Sequence, residues 1–233
     1  MDFDAHEWYA EFLRKLKEAF GEGLVFAGLQ GSRGRGEATE ESDIDLVVVL
    51  KELAPRELSL YAEALASMPF AEKACGFICG EEELRAWSAS ELFLLCHDTE
   101  PLYGSLDFIV PLAGGGAADK ALKDGACAIY HGCCHNRLYE KSMDMLGELY
   151  KSAFFTMRVK RWRETGRFVK KLSELAAGAE GDDRKILDTF ADFRTGRTRE
   201  EDFIKLSEAL IKWSAGVSAA ADGRGAAGGI LIS

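Results

Sequence analysis

A glycine-rich turn and a pair of aspartates follow one another within residues 30–46, QGSRGRGEATEESDIDL. Gly31 can leave a strand with a positive φ angle and expose backbone N–H groups, and Ser32 adds a hydroxyl, so this turn could grip a phosphate. Asp43 and Asp45 alternate with apolar residues, which puts both carboxylates on one face of an extended strand. Mg²⁺ is usually held by one or two carboxylates together with substrate phosphates. The two halves together therefore predict a site for a metal-bound polyphosphate.

Two arginines stand beside the glycine turn. Guanidinium groups match phosphate geometry, so Arg33 and Arg35 could offset the charge that develops on a pyrophosphate leaving group. The turn is not a P-loop, because GxxxxGK[ST] is absent from the sequence. Each half alone is also compatible with a solvated loop or an ordinary DxD sequence. Their order in one short segment favours the functional interpretation.

These motifs resemble the signature of the nucleotidyltransferase superfamily that includes DNA polymerase β. The residues that carry the resemblance are GS at 31–32, RG at 35–36 and SDIDL at 42–46. They are most similar to those of its small bacterial members, the minimal and antibiotic nucleotidyltransferases, and the similarity in element order extends over about residues 20–110. The resemblance implies that the protein transfers a nucleoside monophosphate from an NTP, most simply ATP, to an acceptor hydroxyl with release of pyrophosphate.

The resemblance also implies roles for individual residues. Asp43 and Asp45 are expected to be catalytic and to ligate one or two Mg²⁺ ions. The nucleotide-binding set is expected to comprise Gly31, Ser32, Arg35 and Ser42.

A third acidic residue is harder to place. Many family members carry it on the next long strand, but KACGFICG at 73–80 contains no acid. Glu72, at the start of this segment, is the best candidate for the third catalytic carboxylate, and Glu81, just after it, is the second. Either could instead be a solvated charge at a strand end.

The elements that must position these residues alternate between strands and helices in the first half of the chain. Short apolar or β-branched runs predict strands over residues 24–29, 43–50 and 73–80. Amphipathic spacing predicts a helix over residues 3–20, and Pro55 opens a second helix that extends to Met68. Two short helical segments follow before residue 99. This pattern indicates a small mixed-sheet domain.

The second half has helical spacing throughout. Helices are predicted at 137–164, 166–178, 184–193 and 199–214. The fold class is therefore α+β, a small mixed-sheet nucleotidyltransferase domain followed by an all-α helical bundle. The predicted organisation is a nucleotidyltransferase domain at 1–114, a helical bundle at 115–217 and a flexible tail at 218–233.

Three groups in the helical half leave alternatives open. Glu140, Asp144 and Glu148 repeat at i, i+4 and i+8, which suits either a general base for the acceptor or a solvated helix face. The basic segment RVKRWRETGRFVKK at 158–171 could guide a nucleotide tail or an RNA end, or could serve packing and solvation. HGCCH at 131–135 has some metal-ligand spacing, although packing and capping roles are favoured.

The same half is similar in kind to the bundles of kanamycin-nucleotidyltransferase-like and HEPN-like proteins. HEPN ribonucleases carry an arginine four to six residues before a histidine, and no histidine here has one, so ribonuclease activity is disfavoured.

Composition limits the partners. Hydrophobic residues make up 47% and charged residues 29%, as in folded globular proteins, and the net charge of −10 makes duplex nucleic acid an unfavourable partner. No apolar stretch approaches the roughly 18 residues that a membrane span needs. We therefore predict a cytoplasmic protein with reduced cysteines and no membrane partner.

The expected partners are an NTP and an acceptor, either a small hydroxylated molecule or a protein side chain, with a homodimer as one possible assembly. The alternative function is a non-catalytic nucleotide- or protein-binding module that retains a degenerate nucleotidyltransferase fold.

Overall fold

The structure, a computed structural model, describes residues 5–39, 42–114 and 116–221. The strands of this part of the chain are β1 (Leu24–Leu29), β2 (Ile44–Leu50), β3 (Ala74–Gly80) and β4 (Glu100–Gly104). They form a four-stranded mixed sheet of order β3-β2-β1-β4. Strand β1 is antiparallel to β2 and to β4, whereas β2 and β3 are parallel. The first three strands confirm the prediction, but β4 was not predicted, because its proline disfavours a strand anywhere except at a sheet edge.

Helices cover both faces of the sheet. In the first unit they are α1 (Ala5–Phe20), α2 (Gly31–Gly34), α3 (Pro55–Ala66), α4 (Glu81–Arg85) and α5 (Ala89–Asp98). Alternate residues of β2 point to opposite faces. Ile44 and Leu46 join the core formed with Phe12 of α1, whereas Val47 and Val49 join the core formed with α4 and α5. The strand that carries the aspartate pair is therefore fixed on both sides.

The chain divides between residues 115 and 116 into two units, of which the second is helical in the described residues. Its helices are α6 (Ala117–His135), α7 (Met143–Thr165), α8 (Leu172–Ala177), α9 (Gly181–Arg194) and α10 (Phe203–Ala221). Leu146, Tyr150 and Phe154 of α7 are buried, as are Ile129 of α6 and Leu210 of α10. The predicted combination of a mixed sheet and a following helical part is confirmed.

Several predicted helix boundaries in the second unit were wrong. The helix predicted over 137–164 starts at Met143, because the Ser142 side chain caps it by accepting a hydrogen bond from the Met145 N–H. Helix α6 is not among the predicted helices, although the HGCCH segment lies at its end. Helix α10 continues through Ala221, so residues 218–221, which were assigned to the tail, are helical; alanine is the strongest helix former. The rest of the predicted tail lies outside the described residues.

None of the described helices is long and apolar enough to cross a membrane. All six cysteines are free thiols. Burial raises the pKa of the Cys79 and Cys133 thiols to about 12, so these two behave as small hydrophobic side chains.

Candidate active site

The Asp45 side chain packs directly against Gly31. The Gln30 backbone N–H donates to the Asp45 carbonyl at 2.9 Å, which brings the start of α2 against β2. Gly31 has a φ of +63°, and a Cβ placed on it would lie 1.7 Å from Oδ2 of Asp45. The Asp45 carboxylate therefore occupies the space that any side chain at position 31 would need. Glycine is required here both by the backbone conformation and by the position of the carboxylate.

The two aspartates are presented where β2 begins. Asp43 lies directly before the strand and is exposed, whereas Asp45 lies within it and is half-buried. Between and after them Ile44 and Leu46 are buried in the core. The Asp43 carboxylate makes no hydrogen bond or ion pair with any described residue. Two carboxylates at one strand end provide hard oxygen ligands of the kind that Mg²⁺ prefers.

Arg33 holds the segment that enters β2. Its Nε donates to the Asp43 carbonyl at 3.0 Å and its Nη2 donates to the Ser42 carbonyl at 2.7 Å. Arg33 was predicted to lie beside a phosphate, but two of its donors hold the backbone of the aspartate segment. Ser42 itself closes the preceding turn, because its hydroxyl accepts from the Thr39 backbone N–H at 2.9 Å.

The remaining predicted phosphate contacts differ in their availability. Arg35 is paired with Glu37 at 3.3 Å, and both side chains are largely buried, at 10% and 16% exposure. The glutamate partly neutralises the charge that Arg35 could offer to a phosphate. The Ser32 hydroxyl makes no hydrogen bond with a residue in the described ranges, so it is available to a ligand. Of the predicted nucleotide contacts, the Ser32 hydroxyl is therefore the side-chain group that the described intramolecular contacts leave most available.

The neighbour of Asp45 on the adjacent strand is a cysteine. The parallel register pairs Asp45 with Cys75, and residues in register on adjacent strands share one face of the sheet. Cys75 is exposed. Glu72 is also exposed, in the turn Ala71–Lys73 before β3. Within the described ranges, no three His, Cys, Asp or Glu residues are grouped closely enough to hold a metal ion. The structure thus brings Asp43 and Asp45 to one strand end without adding a third ligand there.

Glu81, the second candidate for the third acid, lies at the wrong end of the sheet. It follows Gly80, which pairs with Leu50 at the far end of β2. Five residues of strand separate Leu50 from Asp45, about 17 Å at roughly 3.3 Å per residue. Its carboxylate pairs instead with Arg85 at 2.6 Å. Glu81 therefore has a structural role at the start of α4.

A polar connection beside the glycine turn was not predicted from the sequence. The Gln30 side chain donates to the Thr99 hydroxyl at 2.9 Å, and that buried hydroxyl donates to the Leu95 carbonyl at 2.6 Å. The turn is thereby tied to the end of α5. No local sequence signal joins residues so far apart in the chain. His97, near the end of α5, has its Nδ1 at 2.9 Å from the Phe93 carbonyl.

The basic segment of the second unit is largely engaged within that unit. Arg158 is buried and lies over the ring of Phe168, 4.7 Å from its centroid. Lys160 pairs with Asp183, Arg163 with Asp119 and Arg167 with Glu174. These contacts favour the packing interpretation of the segment over a surface that guides nucleic acid.

The proposed acidic stripe is interrupted. Glu140 ends the π-helical turn Asn136–Glu140, Lys141 has a φ of +52°, and Ser142 starts a new helix. Glu140 is therefore not on the same helix as Asp144 and Glu148, and it lies 3.4 Å from His135. The prediction continued one helix through the break between Glu140 and Ser142, because no residue type in this segment signals the end of a helix. The stripe does not supply a general base on one helix face.

Comparisons with known proteins agree with the geometry at the level of family and fold. Residues 10–91 match the family model described as nucleotidyltransferase domain. A candidate protein adenylyltransferase of Methanocaldococcus jannaschii is 48% identical over 48 residues, which are 21% of this chain and 33% of that protein. The chain thus spans about a third of the length of the curated relative that it matches.

Solved structures extend the similarity beyond this segment. The crystal structure of spectinomycin adenyltransferase from Enterococcus faecialis with ATP and spectinomycin superposes with a TM-score of 0.54 and 14% identity, covering 89% of this chain and 99% of that one. At this identity the match shows the fold. A toxin-antitoxin structure with AMP-PNP gives a TM-score of 0.34 and 22% identity, covering 45% and 80% of the two chains, which is too low to support a conclusion.

Proposed function

We propose that this protein transfers a nucleoside monophosphate, AMP in the first instance, from an NTP to an acceptor hydroxyl and releases pyrophosphate. The match of residues 10–91 to the family model described as nucleotidyltransferase domain supports this proposal. The observation that carries the proposal is the contact between Gly31 and the Asp45 carboxylate. It joins the turn that can approach a phosphate to the strand that carries the aspartate pair. A phosphate at the turn and a cation at the carboxylates would then be neighbours.

The residues present fit a magnesium ion, because both carboxylates lie at one strand end and oxygen ligands suit this metal. Asp43 and Asp45 would hold one or two Mg²⁺ ions, which when bound would neutralise charge on the triphosphate. The turn at Gly31 and the Ser32 hydroxyl would bind the phosphates. Arg33 would keep the aspartate segment in place through its backbone carbonyls. Each contribution is a positioning or electrostatic effect.

The two relatives support an adenylyl group as the group that is transferred, and they leave two classes of acceptor open. One is named as a candidate protein adenylyltransferase, and the other was solved with ATP and spectinomycin. We accordingly propose a hydroxyl of either a protein side chain or a small molecule as the acceptor. A homodimer and a cytoplasmic location remain predictions.

A second candidate function is a non-catalytic module that binds a nucleotide or a protein. The observation that favours it is the register that places Cys75, rather than a carboxylate, beside Asp45. Glu72 lies in the turn before β3, at the sheet end where Ile44 pairs with Ala74, but the described residues include no group of three ligating side chains there. A site with only two carboxylates binds a cation more weakly, and such a domain could retain the fold without turnover.

Calorimetric titration with a non-hydrolysable ATP analogue, with and without Mg²⁺, tests the proposed function. Wild type is expected to bind only with Mg²⁺, and Asp43→Asn/Asp45→Asn is expected to lose binding. Asp107→Asn, which removes an exposed carboxylate elsewhere in the first unit, is the control and should bind as wild type does. Binding followed by acceptor-dependent pyrophosphate release supports the enzyme, whereas binding without turnover across both acceptor classes supports the module. Absence of binding with ATP, GTP and CTP analogues overturns the nucleotide site.

A further inference from the structure

The two edges of the sheet are protected to different degrees. Strand β4 carries Pro101 and the charged Glu100, and its pairing with β1 is interrupted by a register shift. Prolines, charges and irregular pairing are features by which natural sheets prevent another strand from adding to an edge. Strand β3, at the opposite edge, contains neither a proline nor a charged residue, and it pairs with β2 without a register shift. The β3 edge therefore lacks this protection.

The part of β3 nearest to Asp45 is also accessible. Cys75 and Gly76 are exposed, whereas the last two residues of the strand are buried. Gly76 has no side chain to shield the backbone, and a Cβ there would lie 1.9 Å from the Leu46 carbonyl oxygen. Within the described residues, the backbone of residues 75–78 makes no hydrogen bond outside the sheet. The backbone groups that face away from β2 are therefore available to another strand.

One face of this edge leads from the aspartate strand to an aromatic surface. Cys75 lies in register with Asp45, and Phe77, two residues further along, lies on the same face. The Phe77 ring stacks on the Trp87 ring with centroids 5.1 Å apart, and Trp87 is 39% exposed. A strand added beside β3 would thus place one side chain next to Cys75 and, two residues away, another against the aromatic pair.

The charge of the first unit favours a basic partner. Residues 1–115 contain 22 Asp and Glu residues against nine Lys and Arg residues. Exposed acids stand at both ends of the uncharged strand, with Glu72 before it and Glu82 and Glu83 after it. A basic segment is attracted to this unit, whereas a second copy of the unit is repelled. The part of β3 that is not buried, residues 74–78, is only about 17 Å long, too short to bury the roughly 800 Å² per partner of a stable dimer.

We propose that the exposed part of β3 binds the acceptor, and that this acceptor is an extended basic segment of another protein. The segment adds to the sheet edge through backbone hydrogen bonds. Its hydroxyl side chain lies beside Cys75, and an apolar side chain two residues away packs on Phe77 and Trp87. This inference rests on the proposed function, and it selects the protein side chain over the small molecule as the class of acceptor.

The transfer itself exchanges one bond for another. The hydroxyl oxygen forms a bond to the α-phosphorus of the NTP, the bond between that phosphorus and pyrophosphate breaks, and the hydroxyl proton passes to water. To reach the aspartate strand the hydroxyl must cross β3, a distance of about 4.8 Å, so a long side chain is the suitable test group.

The synthetic peptide RRVYVLVRR is the probe. Its tyrosine and leucine are two residues apart and therefore share one face of a strand. The peptide RRVYVQVRR lacks only the apolar side chain. In calorimetry without nucleotide, the first peptide should bind with a Kd below about 1 mM, and the second should bind about 5- to 10-fold more weakly. Absence of binding of the first peptide, or equal affinities for the two, would overturn the docking site.

Backbone methylation of the peptide tests strand addition directly. Successive N–H groups of a strand point to opposite sides, so methyl groups on alternate nitrogens block one edge of the peptide and leave the other edge free. Of the two alternate methylation patterns of RRVYVLVRR, one should abolish binding and the other should preserve it. Equal effects of the two patterns would contradict strand addition.

Trp87→Ala removes the exposed aromatic surface, and Tyr103→Ala is the matched control. Tyr103 has a similar exposure, 36%, but lies on the opposite edge strand. Trp87→Ala should raise the Kd of RRVYVLVRR about 5- to 10-fold and leave that of RRVYVQVRR nearly unchanged, because the leucine is the group that contacts Trp87. Tyr103→Ala should change neither Kd. Equal losses for Trp87→Ala and Tyr103→Ala would refute the assigned surface.

Mass spectrometry after incubation with ATP and Mg²⁺ reads the transfer separately. AMP on the tyrosine of RRVYVLVRR supports the inference. Modification of spectinomycin without modification of the peptide overturns the inference and leaves the proposed function intact. A peptide that binds but is not modified by a protein that binds nucleotide also overturns its role as acceptor. If wild type binds no nucleotide, the proposed function fails, and the peptide titrations still decide whether β3 accepts a strand.

Discussion

Replacement of Gly31 by alanine tests the contact on which the proposed site depends. The φ of +63° means that alanine adopts an unfavourable left-handed conformation, at a cost of about 1–2 kcal/mol. The new Cβ would also lie 1.7 Å from Oδ2 and 2.5 Å from Cγ of Asp45, well inside any permitted contact. The carboxylate must rotate away, since the backbone at position 31 is held by its neighbours.

Gly36→Ala separates these two effects. Gly36 has a φ of +68°, close to that of Gly31, and a Cβ there would meet nothing within 4 Å. Gly36→Ala should lose about 1–2 kcal/mol of unfolding free energy in urea titrations, and Gly31→Ala should lose more, because it adds the clash with Asp45. Only Gly31→Ala should displace a metal ligand, with a loss of Mg²⁺-dependent binding of the ATP analogue on the order of 100-fold.

The same two glycine variants can be compared in a protein that also carries Asp45→Ala, which tests whether the extra cost of Gly31→Ala comes from the carboxylate. With the carboxylate removed, Gly31→Ala should cost little more stability than Gly36→Ala does, because alanine lacks the two atoms at 1.7 and 2.5 Å and keeps only the Cβ at 3.2 Å. A Gly31→Ala protein that binds Mg²⁺ and nucleotide as tightly as Gly36→Ala would refute the reasoning. In that case the observed position of Asp45 would not be the one that binds the cation.

Two further predictions concern the neighbouring strand and the core. Cys75→Asp places a carboxylate in register with Asp45, so Mg²⁺-dependent nucleotide affinity should rise, on the order of tenfold from the added charge. Cys75→Asn is its uncharged control, and equal affinities for the two variants would argue against a cation at this strand end. Burial raises the pKa of Tyr61 to about 12, above its usual value of 10.0. The unfolded chain therefore loses this proton first, and stability should fall as the pH rises from about 10 to 12, by at most about 1.4 kcal/mol per pH unit. Tyr61→Phe should show a shallower decline in urea unfolding over that range, and parallel curves would contradict the assignment.

The local sequence was sufficient for the strands that carry the motifs. Apolar and polar residues alternate through the aspartate segment, so the face on which Ile44 and Leu46 are buried follows from the pleat alone. The glycine turn and the serine were likewise identifiable from residue types. Helix α1 followed from the spacing of Trp8, Phe12 and Leu16, all of which are buried.

Predictions from the local sequence were wrong where the backbone departs from regular helical or strand geometry. The π-helical turn at Asn136–Glu140 is stabilised from a distance of several residues, because the Asn136 side chain makes two hydrogen bonds to the backbone of Ser142, both 2.9 Å long. The acidic stripe was extrapolated through this turn. Strand β4 was missed for a related reason, since Pro101 is acceptable only because the strand lies at the sheet edge.

The sequence by itself determined which residues could handle a phosphate and a cation, because those properties belong to side-chain chemistry and to the period of a strand. The tertiary structure decided how they are used. The parallel register set Cys75 beside Asp45, and the approach of α2 to β2 set the Asp45 carboxylate against Gly31. The backbone carbonyls of Asp43 and Ser42 accept two of the hydrogen bonds that Arg33 could have donated to a phosphate. Strand register and the choice of hydrogen-bond partner depend on contacts between residues that are far apart in the chain. A local sequence pattern does not encode such contacts.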